Sequence, residues 1–369
     1  MRILLGQLAA RGDCLYATAV ARQIKADYPG CHLTWAIGSM CRSLLEGNPH
    51  VDDIWEIPLA SHADAAGAWN QFHATALQRQ QNGDFDAAFF TQIYPGNFRN
   101  FDGTVRASIF RGYPRPITVP VSPVIRLTDG EIENVKRFAA LHGLTDHGPV
   151  ILFECIANSD QSFLTADFIA AAAKGIVARF PECRLVLSSH VSIASDDPRI
   201  IGGNTLTFRE NAELTKYCSL LIGCSSGITW LCTSDWAKPL PTIQLLGRQK
   251  GVFASVAHDH QYFGLNTDAI IEMTDCPPDD LVDCVKTVYK EGFAAAKKIY
   301  HVAIPLDLDF YVPNLDALIR RKHYGDALTS VRNIVRRYGL RPAVLSVSAH
   351  TVYAILRSLF TSVIGNPVR

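Results

Sequence analysis

Three short segments place reactive or ligand-holding groups directly after buried-looking apolar runs. The first is Leu8-Ala-Ala-Arg-Gly12-Asp13, where Gly12 permits close backbone approach and Asp13 offers a carboxylate. A carboxylate with a reference pKa of about 4 is ionised at neutral pH and acts as a general base when a hydroxyl lies within hydrogen-bond reach. Aspartate is also a favoured helix N-cap, so Asp13 carries a capping reading beside the catalytic one. The second segment is Gly223-Cys-Ser-Ser-Gly227. Small residues there free backbone N–H groups at a helix N-terminus to hold a phosphate, and the Ser225 and Ser226 hydroxyls add donors. The bland reading is a tight turn capped by Ser226. No lysine follows, so this is not a Walker loop, and the spacing is not G-x-G-x-x-G.

The third segment, Glu154 to Ser162, is a polar stretch after a strand, suited to line a ligand site or to stand as a solvated loop. Gln161 and Ser162 are its neutral donors. A fourth stretch, Gln92–Phe101, mixes aromatic and polar side chains. Tyr94 or Phe98 there suits stacking on a sugar, and Asn97 and Arg99 suit polar and anionic groups of an acceptor. A plain surface loop is the alternative. Asp307-Leu-Asp309 matches a D-x-D metal motif but stands far from the other segments and reads as ordinary strand or loop.

These segments need elements to position them. Apolar runs at Arg2–Gly6, His32–Ile37, Asp53–Ile57 and Phe85–Phe90 read as strands. Between them, helical periodicity covers Cys14–Tyr28, Ser39–Glu46 and His62–Gln81. Strands alternating with helices imply right-handed crossovers and a largely parallel sheet. A proline-rich stretch interrupts the rhythm, and Thr128-Asp-Gly-Glu131 has capping-box spacing for a helix to Leu141. His142–Pro149 reads as a linker. The alternation then restarts, with strands at Val150–Phe153, Arg184–Ser188, Ser219–Gly223 and Thr242–Leu246. Helices are expected at Ala166–Arg179, from the box Thr207-Phe-Arg-Glu210 to Tyr217, at Gly227–Ser234, and from Pro278 to about Lys297. The fold class is therefore α/β, in two Rossmann-like units whose ligand crevices lie at strand C-terminal ends. The expected division is 1–145, 146–300, and a crossover with a basic helical tail over 301–369.

Composition narrows the function. The 369 residues are 48% hydrophobic and 19% charged, with formal net charge zero, which gives no electrostatic case for a nucleic-acid partner. The ten cysteines form no C-x-x-C pair and read as reduced thiols of a cytoplasmic protein. The short run Ile3–Leu5, followed by Arg11 and Asp13, is not expected to be a secretory signal, and no spanning helix is expected. The balanced charge hides an asymmetry, because seven Lys/Arg lie between Arg320 and Arg341. Beyond them Val352, Ile355, Leu356, Leu359, Phe360 and Val363 fall on one helical face. That face closes on its own domains or a second copy, or lies in plane on anionic lipid at the inner face of a membrane.

The segments from Arg2 to Ile57, including "GD" and "LLEGNPHVDDIWEI", together with "FIAAAAKGIVARFPECRLVLSS" and "NAELTKYCSLLIGCSSGITWLCTSDWAKPLPTIQLLG", resemble bacterial heptosyltransferases of glycosyltransferase family 9. The resemblance spans roughly residues 1–60 and 150–247. It implies the GT-B architecture, with a nucleotide-sugar donor on the second domain and a glycan or lipid-linked acceptor on the first, as in the biosynthesis of cell-surface polysaccharide and lipopolysaccharide. It places Asp13 at the general base of an inverting, metal-independent transfer with no cofactor. Gly12, Gln161, Ser162, Ser225, Ser226 and Gly227 fall around the donor. Three positions depart from the family pattern: Gln161 replaces a frequent lysine, Ser225 an aspartate and Trp230 a histidine. A non-catalytic nucleotide- or glycan-binding protein, or a nucleotide-sugar epimerase, are the competing functions.

Overall fold

The computed structural model describes residues 1–145, 148–157, 161–189, 193 and 195–364. Parts of the linker, of the Glu154–Ser162 loop and of the tail (146–147, 158–160 and 365–369) lie outside these residues. The first sheet is built from β1 (Arg2–Gly6), β2 (His32–Gly38), β3 (Asp53–Ile57) and β4 (Ala87–Phe90), in the order β3-β2-β1-β4 and all parallel. Helices α1 (Arg11–Asp27) and α2 (Ala65–Gln81) make its crossovers, and α3 (Arg106–Phe110) and α4 (Asp129–Leu141) follow. The Thr128–Glu131 capping box forms as its spacing predicts, each residue satisfying the other's backbone N–H.

The second sheet contains β5 (Val150–Glu154), β6 (Arg184–Ser188), β7 (Ile200–Gly202), β8 (Leu220–Gly223), β9 (Thr242–Leu246) and β10 (Ile270–Thr274). Their order is β10-β9-β8-β5-β6-β7, again parallel throughout. Both faces of these strands are covered, which is why β5, β8 and β9 read as nearly unbroken apolar runs. Helices α5 (Ala166–Arg179), α6 (Glu210–Leu214), α7 (Gly227–Leu231), α8 (Val256–Tyr262), α9 (Pro278–Glu291) and α10 (Phe293–Tyr300) surround the sheet. The expected continuous helix from Pro278 is two helices, because Gly292 adopts φ 94°, a left-handed conformation open to glycine. Two strands, β7 and β10, and two helices, α3 and α8, were not anticipated. α1 begins three residues before the expected Cys14, so Asp13 lies inside the first turn rather than at the N-cap, which is Ala10.

The halves are fastened by charged side chains. Arg209, 2% exposed, donates to both Glu131 carboxylate oxygens at 2.7 and 2.8 Å. It also donates to the carbonyls of Ser43, Glu46 and Arg126 at 2.5–3.0 Å. A guanidinium with these partners is satisfied while buried, which is the condition for burying it at all. Asp235 adds contacts to Arg22 and Arg126, each at 3.0 Å.

The chain then returns to its beginning. In α11 (Val312–Arg320) and α12 (Tyr324–Tyr338) the packed faces turn toward the first half. From α12, Ser330 donates to the Phe101 carbonyl at 2.7 Å, Asn333 to the Arg99 carbonyl at 2.9 Å, and Arg337 to Asp102 at 3.1 Å. Burial pushes the Asp102 carboxyl up, but Arg111 and Arg337 outweigh it and hold the group below the usual carboxylate range. The last helix, α13 (Pro342–Ile364), buries Val344, Val347 and Thr351. The apolar positions expected to pack are mostly outside: Val352, Leu356, Leu359 and Phe360 are exposed, as are Leu345 and Tyr353, and Ile355 is half-buried. No spanning helix was expected, yet Pro342–Phe360 is long and apolar enough to cross a membrane by length and composition.

Candidate functional site at the junction of the two sheets

The loop after β1 and the turn after β8 meet where α1 passes α7. A side chain at Gly12 would touch the Trp230 ring at 3.9 Å, and Tyr16 packs edge-on against Trp230 with centroids 5.0 Å apart. The expected residues Gly12 and Asp13 are therefore brought to the same junction as Ser225, Ser226 and Gly227. Gln92 fixes the Asp13 loop from beneath, its side-chain oxygen accepting from the Leu8 and Ala9 amides at 2.7 and 3.1 Å. Asp13 is half-buried. Burial pushes its carboxyl up to about 7, and a hydrogen bond from the Ala10 amide pulls in the other direction. An aspartate so placed exchanges its proton in the neutral range, which is what a general base requires.

The turn after β8 is held by groups that sequence reasoning did not single out. Ser225 has φ 54°, a left-handed conformation uncommon for a residue with a side chain. Its N–H donates to Gln244 at 2.8 Å, and its carbonyl accepts from Gln161 at 3.2 Å and from the Trp230 indole at 3.3 Å. Three bonds over-determine the strained conformation, the condition under which such a residue persists. Gly223 is required by close approach, since a Cβ there would overlap the Gln244 amide and the Thr229 hydroxyl. Ser162 donates to the Leu245 carbonyl at 2.5 Å, and Gly247 donates to the Gln161 carbonyl at 2.8 Å. Gln161, Ser162 and the turn thus form one surface at the ends of β8 and β9.

Beneath that surface lies Glu154, 1% exposed at the end of β5. Its Oε2 accepts from Cys224 N at 2.9 Å, Ser226 N at 3.4 Å and the Thr229 hydroxyl at 2.6 Å. Its Oε1 accepts from Ile228 N at 2.8 Å and Thr229 N at 3.1 Å. The amides that the sequence offered to a phosphate are mostly taken by this carboxylate. Gly227 N–H and the Ser225 and Ser226 hydroxyls have no hydrogen-bond partner among the described residues. The signal for Glu154 was present in the sequence as an acidic residue closing the apolar run VILF.

The loop Gln92–Phe101 divides into two parts. Tyr94 is 53% exposed and stands edge-on to Phe98 at 6.0 Å, next to Gln92 and so next to the Asp13 loop. Asn97 is occupied structurally, donating to the Phe90 and Gln92 carbonyls at 3.1 and 3.0 Å. Arg99 is exposed on the side covered by α12. Asp307 and Asp309 flank buried Leu308, and among the described residues no group of three His, Cys, Asp or Glu is placed to hold a metal.

Two facing parallel α/β units, with the site between their strand C-terminal ends and a C-terminal return to the first unit, define the GT-B class of fold. Solved structures agree. A glycosyl transferase family 9 protein from Veillonella parvula DSM 2008 superposes with a TM-score of 0.54 at 17% identity, covering 81% of this chain and 93% of that one. The ADP-heptose lps heptosyltransferase II of E. coli superposes with a TM-score of 0.53 at 13% identity, covering 79% of this chain and 99% of that one. No protein-family model and no curated protein sequence matches the chain.

Proposed function

We propose that this protein is a glycosyltransferase that moves a sugar from a nucleotide-activated donor to a glycan or lipid-linked acceptor, with inversion. The observation that carries this is Asp13, with its carboxyl pushed up to about 7, set at the domain junction with the Ser225–Gly227 turn. The GT-B fold supports it, as do solved neighbours that are described as a family 9 glycosyl transferase and a heptosyltransferase. Asp13 takes the proton of an acceptor hydroxyl as that oxygen attacks the anomeric carbon. The bond from the anomeric carbon to the phosphate oxygen breaks, and the phosphate leaves with the electron pair. Gly227 N–H, the Ser225 and Ser226 hydroxyls and the Gln161–Ser162 edge receive the charge, without a metal or cofactor. Tyr94 and Arg99 meet the acceptor, and Asn97 shapes their loop.

Transfer from a panel of nucleotide sugars, with Asp13→Ala as control, tests the reading. Turnover lost in the variant with nucleotide binding kept supports it. Equal turnover in the variant removes Asp13 from the chemistry. A second reading, a non-catalytic nucleotide or glycan binder, is favoured by one observation: Glu154 already fills most of the turn's donors. Nucleotide binding without turnover across the panel would establish it.

The same proposal places the protein in the cytoplasm at a membrane surface. Exposed Leu345, Val352, Tyr353, Leu356 and Phe360 on α13 form an apolar strip, and exposed Arg320, Arg321, Lys322, Arg332, Arg336 and Arg341 lie on the adjoining helical tail. That combination fits an in-plane seat on anionic lipid and suits a lipid-linked acceptor.

A further inference from the structure

We propose that Trp230 is a positioning residue that holds the base-bearing turn of the first half in register with the turn after β8 in the second. This role rests on the reading of Asp13 as general base and adds the side chain that aligns it. Trp230 belongs to α7 and is 7% exposed. Its ring reaches out of its own half. It meets Tyr16 edge-on with centroids 5.0 Å apart, and its Cδ1 lies 3.9 Å from where a Cβ on Gly12 would stand. Gly12 and Tyr16 are four residues apart on α1 and so share one face. Asp13 lies about 60° around the helix from Tyr16, given 3.6 residues per turn. The indole thus grips the helix beside the base, not on it.

The same ring is tied to the second half. Its indole N–H donates to the Ser225 carbonyl at 3.3 Å, at the residue whose left-handed conformation shapes the turn. A third contact keeps the ring from swinging. The Arg106 guanidinium of α3 lies 5.3 Å from Trp230 and 4.8 Å from Tyr16, and Arg106 itself stands 3.3 Å from Asp259 of α8. Sliding one half over the other therefore breaks either the indole bond to Ser225 or the ring contact with α1. Tryptophan suits this place because it joins a large, rigid apolar face to a single directed N–H. Phenylalanine keeps the face and loses the bond to Ser225, and alanine loses both. In either variant each half retains its own ligand groups, so binding separates from alignment. A displacement of about 1 Å at a reacting centre costs on the order of a hundredfold in rate.

The test compares wild type, Trp230→Phe and Trp230→Ala as full chains. Calorimetric titration with ADP, UDP, GDP and CMP reads nucleotide affinity. Release of nucleotide from ADP-glucose, UDP-glucose, GDP-mannose and CMP-sialic acid, with water as acceptor, reads kcat and donor KM. Trp230→Ala should lose about a hundredfold in kcat. Trp230→Phe, without one hydrogen bond, should lose about tenfold. Nucleotide affinity and donor KM should stay within about threefold in both, the pattern of an interaction realised only in the transition state. Loss of packing alone would lower the melting temperature of Trp230→Ala and leave kcat of the folded Trp230→Phe untouched. The phenylalanine variant therefore decides the matter if the alanine variant fails to fold. A kcat within twofold of wild type in Trp230→Phe, or a fall in kcat matched by an equal fall in nucleotide affinity, overturns this role. Wild-type turnover in that same assay leaves glycosyl transfer standing. No turnover by the wild type from any of the four donors overturns both.

Discussion

Arg106 and Asp259 stand 3.3 Å apart across the domain junction, one from α3 of the first half and the other from α8 of the second. Arg106 is 1% exposed, and its guanidinium lies 4.8 Å from the Tyr16 ring, 5.3 Å from Trp230 and 5.5 Å from Phe263. Its Nε and Nη2, and Asp259 Oδ2, have no geometrically sound hydrogen bond among the described residues. Burial raises the Asp259 pKa and Arg106 opposes the rise. The pair is a costly junction that holds only while both charges are present.

Removing either charge alone strands the other. Arg106→Met and Asp259→Asn are each expected to lower the unfolding free energy by about 3–5 kcal/mol. The double variant Arg106→Met, Asp259→Asn should lose clearly less than the sum. Urea unfolding of the four proteins measures this, and strict additivity would show that the two residues are not coupled.

Asp13 predicts opposite pH trends for stability and for rate. Its folded pKa of about 7 lies above the unfolded value, so the folded state holds the proton more tightly. Stability therefore falls as pH rises from about 4 through about 7, and the penalty is complete above that. Asp13→Asn should gain on the order of 1–3 kcal/mol at pH 8 and almost nothing at pH 3.5. Transfer by the wild type should climb with pH to a plateau above about 7. A wild-type rate already flat at pH 5 would contradict a base with that pKa.

The acceptor loop should separate binding from folding. Tyr94→Ala and Arg99→Ala remove exposed side chains and should raise the acceptor KM about tenfold with an unchanged melting temperature. Asn97→Ala leaves two carbonyls without their donor and should cost about 1–3 kcal/mol of stability. Unchanged acceptor KM in both Tyr94→Ala and Arg99→Ala would remove this loop from the site.

The tail should bind vesicles. Full-length protein is expected to float with liposomes containing anionic lipid, and less so at high salt. A chain ending at Arg341, or one with Val352, Leu356 and Phe360 changed to serine, should stay in solution. Equal flotation of full-length and shortened chains would rule out this contact.

Much of the fold was legible because parallel sheets covered on both faces are spelled as short apolar runs. The same rule hid β10, whose run is broken by Glu272, a buried carboxylate that accepts from Ser255 and the Ala257 amide. It also hid β7, which is three residues long. Asp13 and the Ser225–Gly227 turn stood out because they directly follow strands. Each also had a capping or tight-turn reading, and the family resemblance was needed to weight the functional one. Glu154 did not stand out, although it takes most of the turn's amides. Its partners lie 70 to 75 residues away. Only the β5–β8 register, Phe153 beside Ile222, sets it under Gly223 and Cys224. Local spacing carries no information about a register between strands so far apart.

The return of α12 to the first half also orders events in time. Ser330 and Arg337 close on Phe101 and Asp102 across 229 and 235 residues of chain. At a synthesis rate of about 5–20 residues per second, that gap is roughly 10–50 s. The half that leaves the ribosome first is the half finished last. During that interval, buried Asp102 has Arg111 beside it but not Arg337, and Phe101 lacks the cover of Tyr311. A nascent chain stalled before α12 is thus the species to which a chaperone should bind most tightly.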